Sequence, residues 1–225
     1  MTGLSGNRLN HVKIRSSNQV GRPRRALWHR HSVESMIQRT LRSAGATILA
    51  LITAMAVFGL FPALIGEYDG ALQLSGTLRF LPLILASTAF AVAVLTSPVT
   101  DTPHGLRLLG YASLGMVAGG GLLSALAGNI ALLALAATVT GVGSGMTVRA
   151  AHTVLNAQYD RRRLWLVYFG AAAVSLFLVA GALAILPVYE WRGVFGLGVL
   201  AAGMSAWAYA ANVKPIPRNV VTRAA

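Results

Sequence analysis

The sequence has no cysteine, which excludes disulfide frameworks, thiolate metal sites and thiol nucleophiles, and leaves the redox compartment unspecified. Acidic residues are scarce: six Asp and Glu stand against nineteen Lys and Arg, a formal net charge of +13. Charged residues of both signs make up only 11% of the chain, where a soluble domain carries about a quarter, and 55% of the residues are hydrophobic. A water-soluble globule is therefore not expected. The acids are Glu34, Glu67, Asp69, Asp101, Asp160 and Glu190, and none lies within a long apolar run. With no carboxylate pair placed for acid–base or metal chemistry in such a run, the chain does not read as an enzyme. No cofactor and no metal is implied, and His11, His29 and His31 read as solvated residues rather than a ligand set.

What the sequence does contain is divided sharply. Residues 1–43 hold nine basic residues, Arg8, Lys13, Arg15, Arg22, Arg24, Arg25, Arg30, Arg39 and Arg42, and one acid, Glu34. This segment is expected to be a disordered cytoplasmic tail touching anionic lipid headgroups, where each cation near the surface contributes about 1 kcal/mol. Arg24-Arg25 is a twin arginine, but the apolar run begins only at about Ala44 and has full spanning length, so an uncleaved first span is expected rather than a removed leader. Trp28 is the single aromatic of the tail and no nucleic-acid-binding motif accompanies it, so nucleic acid is not the expected partner.

From Ala44 to Ala211 the text is almost continuously apolar. A hydrocarbon core of about 30 Å needs roughly 20 helical residues, and six runs of that length are found, at about 44–65, 77–97, 106–126, 130–154, 164–186 and 193–211. Gly66-Glu67-Tyr68-Asp69-Gly70, Ser97-Pro98, Gly128-Asn129, Asp160 with Arg161 to Arg163, and Pro187 separate them. Unbroken apolar runs exclude alternating β-barrel strands. The expected fold class is all-α, a polytopic membrane protein of six transmembrane helices, with a membrane domain at 44–211 and a short basic tail at 212–225. Six spans put both termini on one side. That side collects the tail cations, Arg107, Arg161, Arg162, Arg163, Lys214, Arg218 and Arg223, against Arg79 and Arg192 opposite. By the positive-inside rule it is the cytoplasm, and an inner cell membrane is the expected location.

Ionisable groups at membrane depth are unfavourable unless they face a cavity or snorkel. Arg149 and His152 lie three apart in the fourth run, with Asn156 four further on, so all three share a helix face. They are the expected contacts for a solute group or a proton. The glycines Gly115 and Gly119 in the third run, and Gly141, Gly143 and Gly145 in the fourth, are expected to let helix backbones approach closely. Gly141 to Gly145 has no P-loop lysine or preceding strand, which excludes a phosphate loop.

Three local motifs carry a family resemblance. Between the second and third runs stands Ser97-Pro98-Val99-Thr100-Asp101-Thr102-Pro103-His104-Gly105-Leu106-Arg107, similar to G-x-x-x-D-R-x-G-R. Asp101 matches the aspartate, while Gly105 and Arg107 match the later pair with a one-residue shift and an extra residue between them. Gly141-Val142-Gly143-Ser144-Gly145 looks like a glycine stretch running down to an acidic-basic helix end, here Asp160 with Arg161 to Arg163. Trp191-Arg192-Gly193-Val194-Phe195 is similar to W-R-x-x-F at the start of a sixth helix. In order and spacing, the segment from about 97 to 203 resembles the amino-terminal six-helix half of major facilitator superfamily transporters. It departs from the pattern at Ser97 and Thr102, and at Ala137, where many proton-coupled members carry arginine. The G-x-x-x-G-P motif of the fifth helix is not found.

The resemblance implies a 3+3 helix bundle and a gating charge cluster of Asp101, Arg107 and Asp160. Members normally have twelve spans with the substrate held between two six-helix halves. A six-span chain then implies a half-transporter, acting as a homodimer or with a second six-helix chain, and moving a small solute by alternating access. The alternative reading is a non-transporting membrane scaffold or accessory subunit, using the basic tail and tight helix faces as interaction surfaces.

Overall fold

The computed structural model describes residues 22–74, 76–97 and 102–213. Every element there is helical: α1 Arg22–Ala63, α2 Ile65–Leu72, a 3-10 helix Gly76–Phe80, α3 Leu81–Thr96, α4 Pro103–Ala125, α5 Ile130–Asn156 and α6 Arg161–Asn212. By contacts the chain falls into two units, residues 1–38 and 39–225. Six helical segments are long and apolar enough to cross a bilayer: Thr40–Ala63, Gly76–Thr96, His104–Ala125, Ile130–Asn156, Arg161–Val188 and Glu190–Asn212. They are called the first to sixth spans below. By length and composition the chain is a multi-pass membrane protein.

Three details differ from the sequence reading. Residues 22–43, read from their charge as disordered tail, are helical from Arg22 onward. After Pro23 this stretch has neither glycine nor proline, and proline is tolerated in a first helical turn because its missing N–H has no intrahelical partner there. Gly66 to Gly70, read as a break, lie within α2. Its Tyr68 is fully buried and donates weakly to the carbonyls of Phe61 at 3.4 Å and Arg79 at 3.3 Å. Burial pushes the Tyr68 phenol pKa up to about 12, with the Asp69 carboxylate adding to the shift, so the hydroxyl keeps its proton and remains a donor. Finally, the fifth span runs on through Pro187 to Val188, and a kink without an intervening loop turns the chain back into the sixth, so that Ser175 and Ser205 reach adjacent residues of the first span. The kink is at Glu190, with φ 55° and ψ 168°, three residues after the helix-breaking Pro187. That conformation is one that glycine adopts far more readily than glutamate.

Helix starts follow the side chains available. Thr102, Asn129 and Asp160 each accept a hydrogen bond from the backbone N–H three residues on, at Gly105, Leu132 and Arg163, satisfying donors that a helix leaves unpaired in its first turn.

The first and fourth spans are the most enclosed, with 56% of their apolar windows buried, against 17% for the second and fifth. Glycine explains the fourth. A Cβ on Gly145 would sit 2.5 Å from the Phe90 carbonyl oxygen, and one on Gly141, a turn earlier on the same face, would fall on the Ala86 backbone. Gly143 points the other way, where a Cβ would lie 2.7 Å from the Ser113 carbonyl oxygen. The fourth span is thus pressed against α3 on one side and α4 on the other.

The first span is bonded near its middle to three others through consecutive residues. Ser175 of the fifth span donates to the Ile52 carbonyl at 2.9 Å, Thr53 shares a 2.7 Å hydroxyl bond with Ser205 of the sixth, and Ser144 of the fourth donates to the Ala54 carbonyl at 3.0 Å. With no water to compete in lipid, such hydroxyls define which helix faces meet.

The third and sixth spans are tied at both ends by a reciprocal pair of arginines. Arg107, near the start of the third, donates to the Ala210 carbonyl at 3.0 Å near the end of the sixth. Arg192, near the start of the sixth, donates to the Ala127 carbonyl at 3.1 Å just past the end of the third. Each places a cation at the partially negative end of its neighbour. Trp191 and Phe195 pack beside this second tie against Tyr68 and Phe61. Arg107→Ala and Arg192→Ala are each expected to lower stability by about 1.5–3 kcal/mol, the range for a hydrogen bond to a charged group. SDS-driven unfolding in mixed micelles, followed by circular dichroism, measures this. Arg162→Ala, an exposed side chain, is expected to leave the midpoint in place.

Candidate functional site

The cytoplasm-side end predicted for α5 carries Arg149, His152 and Asn156 at spacings of three and four, and the structure brings all three to the wall of one cavity of about 570 Å³. The opposite wall comes from the first two turns of α6: Arg161, Leu164, Trp165 and Tyr168, whose spacings of three, one and three again define one helix face. Val94 of α3 and Val148 complete the lining. The fold-back that opposes the two walls occupies only Ala157 to Asp160, and Asp160 ends it by capping α6. Leu164 of this lining also belongs to a buried apolar cluster with Leu51, Ala151, Leu155 and Ala171.

Polar atoms in this cavity are underused. Arg149 is half-buried, and its Nε is enclosed without a hydrogen-bond partner; Tyr168 Oη is in the same condition. The His152 and Tyr168 rings face each other at 6.2 Å between centroids, tilted by 33°. No carboxylate lines the cavity. The nearest acid in sequence, Asp160, is engaged elsewhere, accepting from the Arg163 N–H at 3.1 Å and lying 3.8 Å from the Arg163 guanidinium. Among the described residues the only ion pairs are that one and Arg79 with Asp69 at 3.8 Å, so Arg149 and Arg161 have no acidic partner there. Guanidinium groups stay charged throughout the accessible pH range, which makes the cavity a concentrated positive site between apolar walls.

The gating cluster implied by the resemblance is not drawn together by the described residues. Asp101 lies outside them, Arg107 is spent on the Ala210 carbonyl, and Asp160 on the α6 N-terminus and Arg163. Of the helix-packing glycines, Gly141, Gly143 and Gly145 meet neighbouring backbone, whereas Gly115 and Gly119 have nothing within 4 Å of a Cβ position. The residues that sequence reasoning did not weigh for this site are Arg161, Trp165 and Tyr168. Their signal was available: an N-cap Asp160 followed by arginine and two aromatics at helical spacing. It was masked because Arg161 to Arg163 also serve as a topology signal.

No protein-family model matches the chain, and neither does any curated protein or solved structure.

Proposed function

We propose that the chain is a membrane transport protein of major facilitator type, a half-transporter that moves a small solute by alternating access as a homodimer or with a second six-helix chain. The observation that carries this reading is the cavity of Arg149, His152 and Asn156: hydrogen-bonding groups of a membrane-spanning helix collected around a space of ligand size, with a buried arginine nitrogen unsatisfied. Polar groups at such depth are retained where they meet a solute or a water-filled path. The reciprocal ties of Arg107 to Ala210 and Arg192 to Ala127 support a 3+3 arrangement, because an inverted repeat relates the third helix to the sixth and makes each contact the counterpart of the other. The excess of arginine and lysine at the tails and around Asp160 supports cytoplasmic termini in an inner cell membrane, with the tail against anionic lipid.

Purified chain reconstituted into proteoliposomes is expected to take up at least one member of a radiolabelled panel of organic anions, organic cations and sugars. Arg149→Ala is expected to reduce the initial rate at least tenfold, equivalent to about 1.4 kcal/mol. Unchanged uptake by that variant removes Arg149 from the solute path. An absence of uptake across the panel, from a chain that stays monomeric in nanodiscs, favours the scaffold reading.

A further inference from the structure

We infer that the cavity between the fourth and fifth spans binds a phosphate-type oxyanion carried on an apolar body, with Arg149 and Arg161 holding the anion and Trp165 the apolar part. This rests on the reading of that cavity as a ligand site, and adds the chemistry of its occupant.

Charge decides the class first. Two guanidinium groups line the space and no carboxylate does, so a cation would meet uncompensated repulsion in a medium that screens poorly. Geometry decides next. Donors arrive from two directions, Arg149, His152 and Asn156 from α5 and Arg161 and Tyr168 from α6. A tetrahedral oxyanion presents acceptors toward both helices at once, whereas a flat carboxylate presents them in one plane. Arginine forks match phosphate oxygens in paired hydrogen bonds. Arg149 Nε and Tyr168 Oη, enclosed and unpartnered, are donors whose desolvation is uncompensated until an acceptor enters.

Size and lining supply the second half of the ligand. A space of about 570 Å³ is within the usual range for organic ligands, roughly 300–1,000 Å³, and Val94, Val148, Leu164 and Trp165 make much of its wall apolar. Trp165 is 57% exposed, a placement suited to an indole at the membrane interface. Such a ligand has two sources, the headgroup of a phospholipid in the surrounding leaflet or a soluble organic phosphate, and the recognition chemistry is shared.

The test uses the full chain purified in an uncharged detergent and titrated separately with dioctanoyl phosphatidylglycerol, phenyl phosphate and, as an uncharged control, dioctanoylglycerol. Tryptophan fluorescence is the readout, assigned by its loss in Trp165→Phe. A saturable change is expected with at least one phosphate compound and not with the control. Arg149→Gln and Arg161→Gln are each expected to weaken binding at least tenfold. Arg163→Gln, whose partner is Asp160, is expected to keep wild-type affinity. Binding of the lipid alone assigns the leaflet as source; binding of phenyl phosphate assigns a soluble ligand. Should Arg149→Gln fail to fold, the exposed Arg161→Gln carries the comparison. No saturable signal with either phosphate compound, or undiminished affinity in Arg161→Gln, overturns the inference. Failure of the transport reading is separate: anion binding without uptake of any solute leaves this site standing and removes transport, whereas uptake without anion binding does the reverse.

Discussion

Gly141→Ala combined with Gly145→Ala is expected to leave little folded bundle. At both positions a methyl group would enter the backbone of α3, at Ala86 and at Phe90 with its neighbours Ala93 and Val94. Backbone atoms cannot swing aside as a side-chain tip can, so the second span must move bodily or the contact must open. Overpacking of this kind costs about 1–3 kcal/mol per site where relaxation is possible, and these sites offer the least relaxation. The paired controls are Gly115→Ala and Gly119→Ala. A Cβ there meets open space, and alanine gains about 1 kcal/mol of helix propensity over glycine, so neutral or raised stability is expected. The midpoint of SDS-driven unfolding, with recovery of folded protein from membranes, separates the two pairs. Equal midpoints for the Gly141/Gly145 and Gly115/Gly119 variants would show that the fourth span does not pack on α3 as described.

The second large effect concerns orientation, and its readout is all or none. Because the chain has no cysteine of its own, single cysteines report their side without further engineering. In intact cells a membrane-impermeant maleimide is expected to label Gly128→Cys and to miss Ser5→Cys and Thr222→Cys, which become reactive only after permeabilisation. Charge is the reason. On the Gly128 side the two arginines are occupied, Arg79 near Asp69 and Arg192 on the Ala127 carbonyl. On the other side Arg161 and Arg162 have no acidic partner among the described residues, and retain the free charge that resists translocation. Labelling of either terminal cysteine from outside the cell would dismiss the proposed topology.

Parts of the candidate site were legible in the sequence because helix geometry is local. Arg149, His152 and Asn156 share a face by spacing alone, once the run containing them is read as a helix. Arg161, Trp165 and Tyr168 share another face by the same arithmetic. What spacing does not contain is the fold-back over Ala157 to Asp160 that sets the two faces opposite each other. The same distinction holds for glycine. Gly141, Gly143 and Gly145 are visible as small residues in mid-span, yet their division between α3 and α4 depends on where those helices lie. Arg107 shows the limit from the other direction: its place in a loop motif pointed to Asp160, and tertiary contact sent it to Ala210, one hundred and three residues away.

By itself the sequence determined that the chain is helical and crosses a membrane repeatedly, because a hydrocarbon solvent demands that each spanning segment satisfy its own backbone and run about twenty residues, and both demands are met within single stretches of text. Only the tertiary structure decided which faces meet. The bond of Ser144 to Ala54 and the ties at both ends of the third and sixth spans join residues distant in the chain, and the basic cavity with its unsatisfied arginine nitrogen forms only where a fold-back sets two helix faces opposite each other. Nearly every face of these helices is apolar, so hydropathy cannot choose among them; close backbone approach and a few hydrogen bonds can.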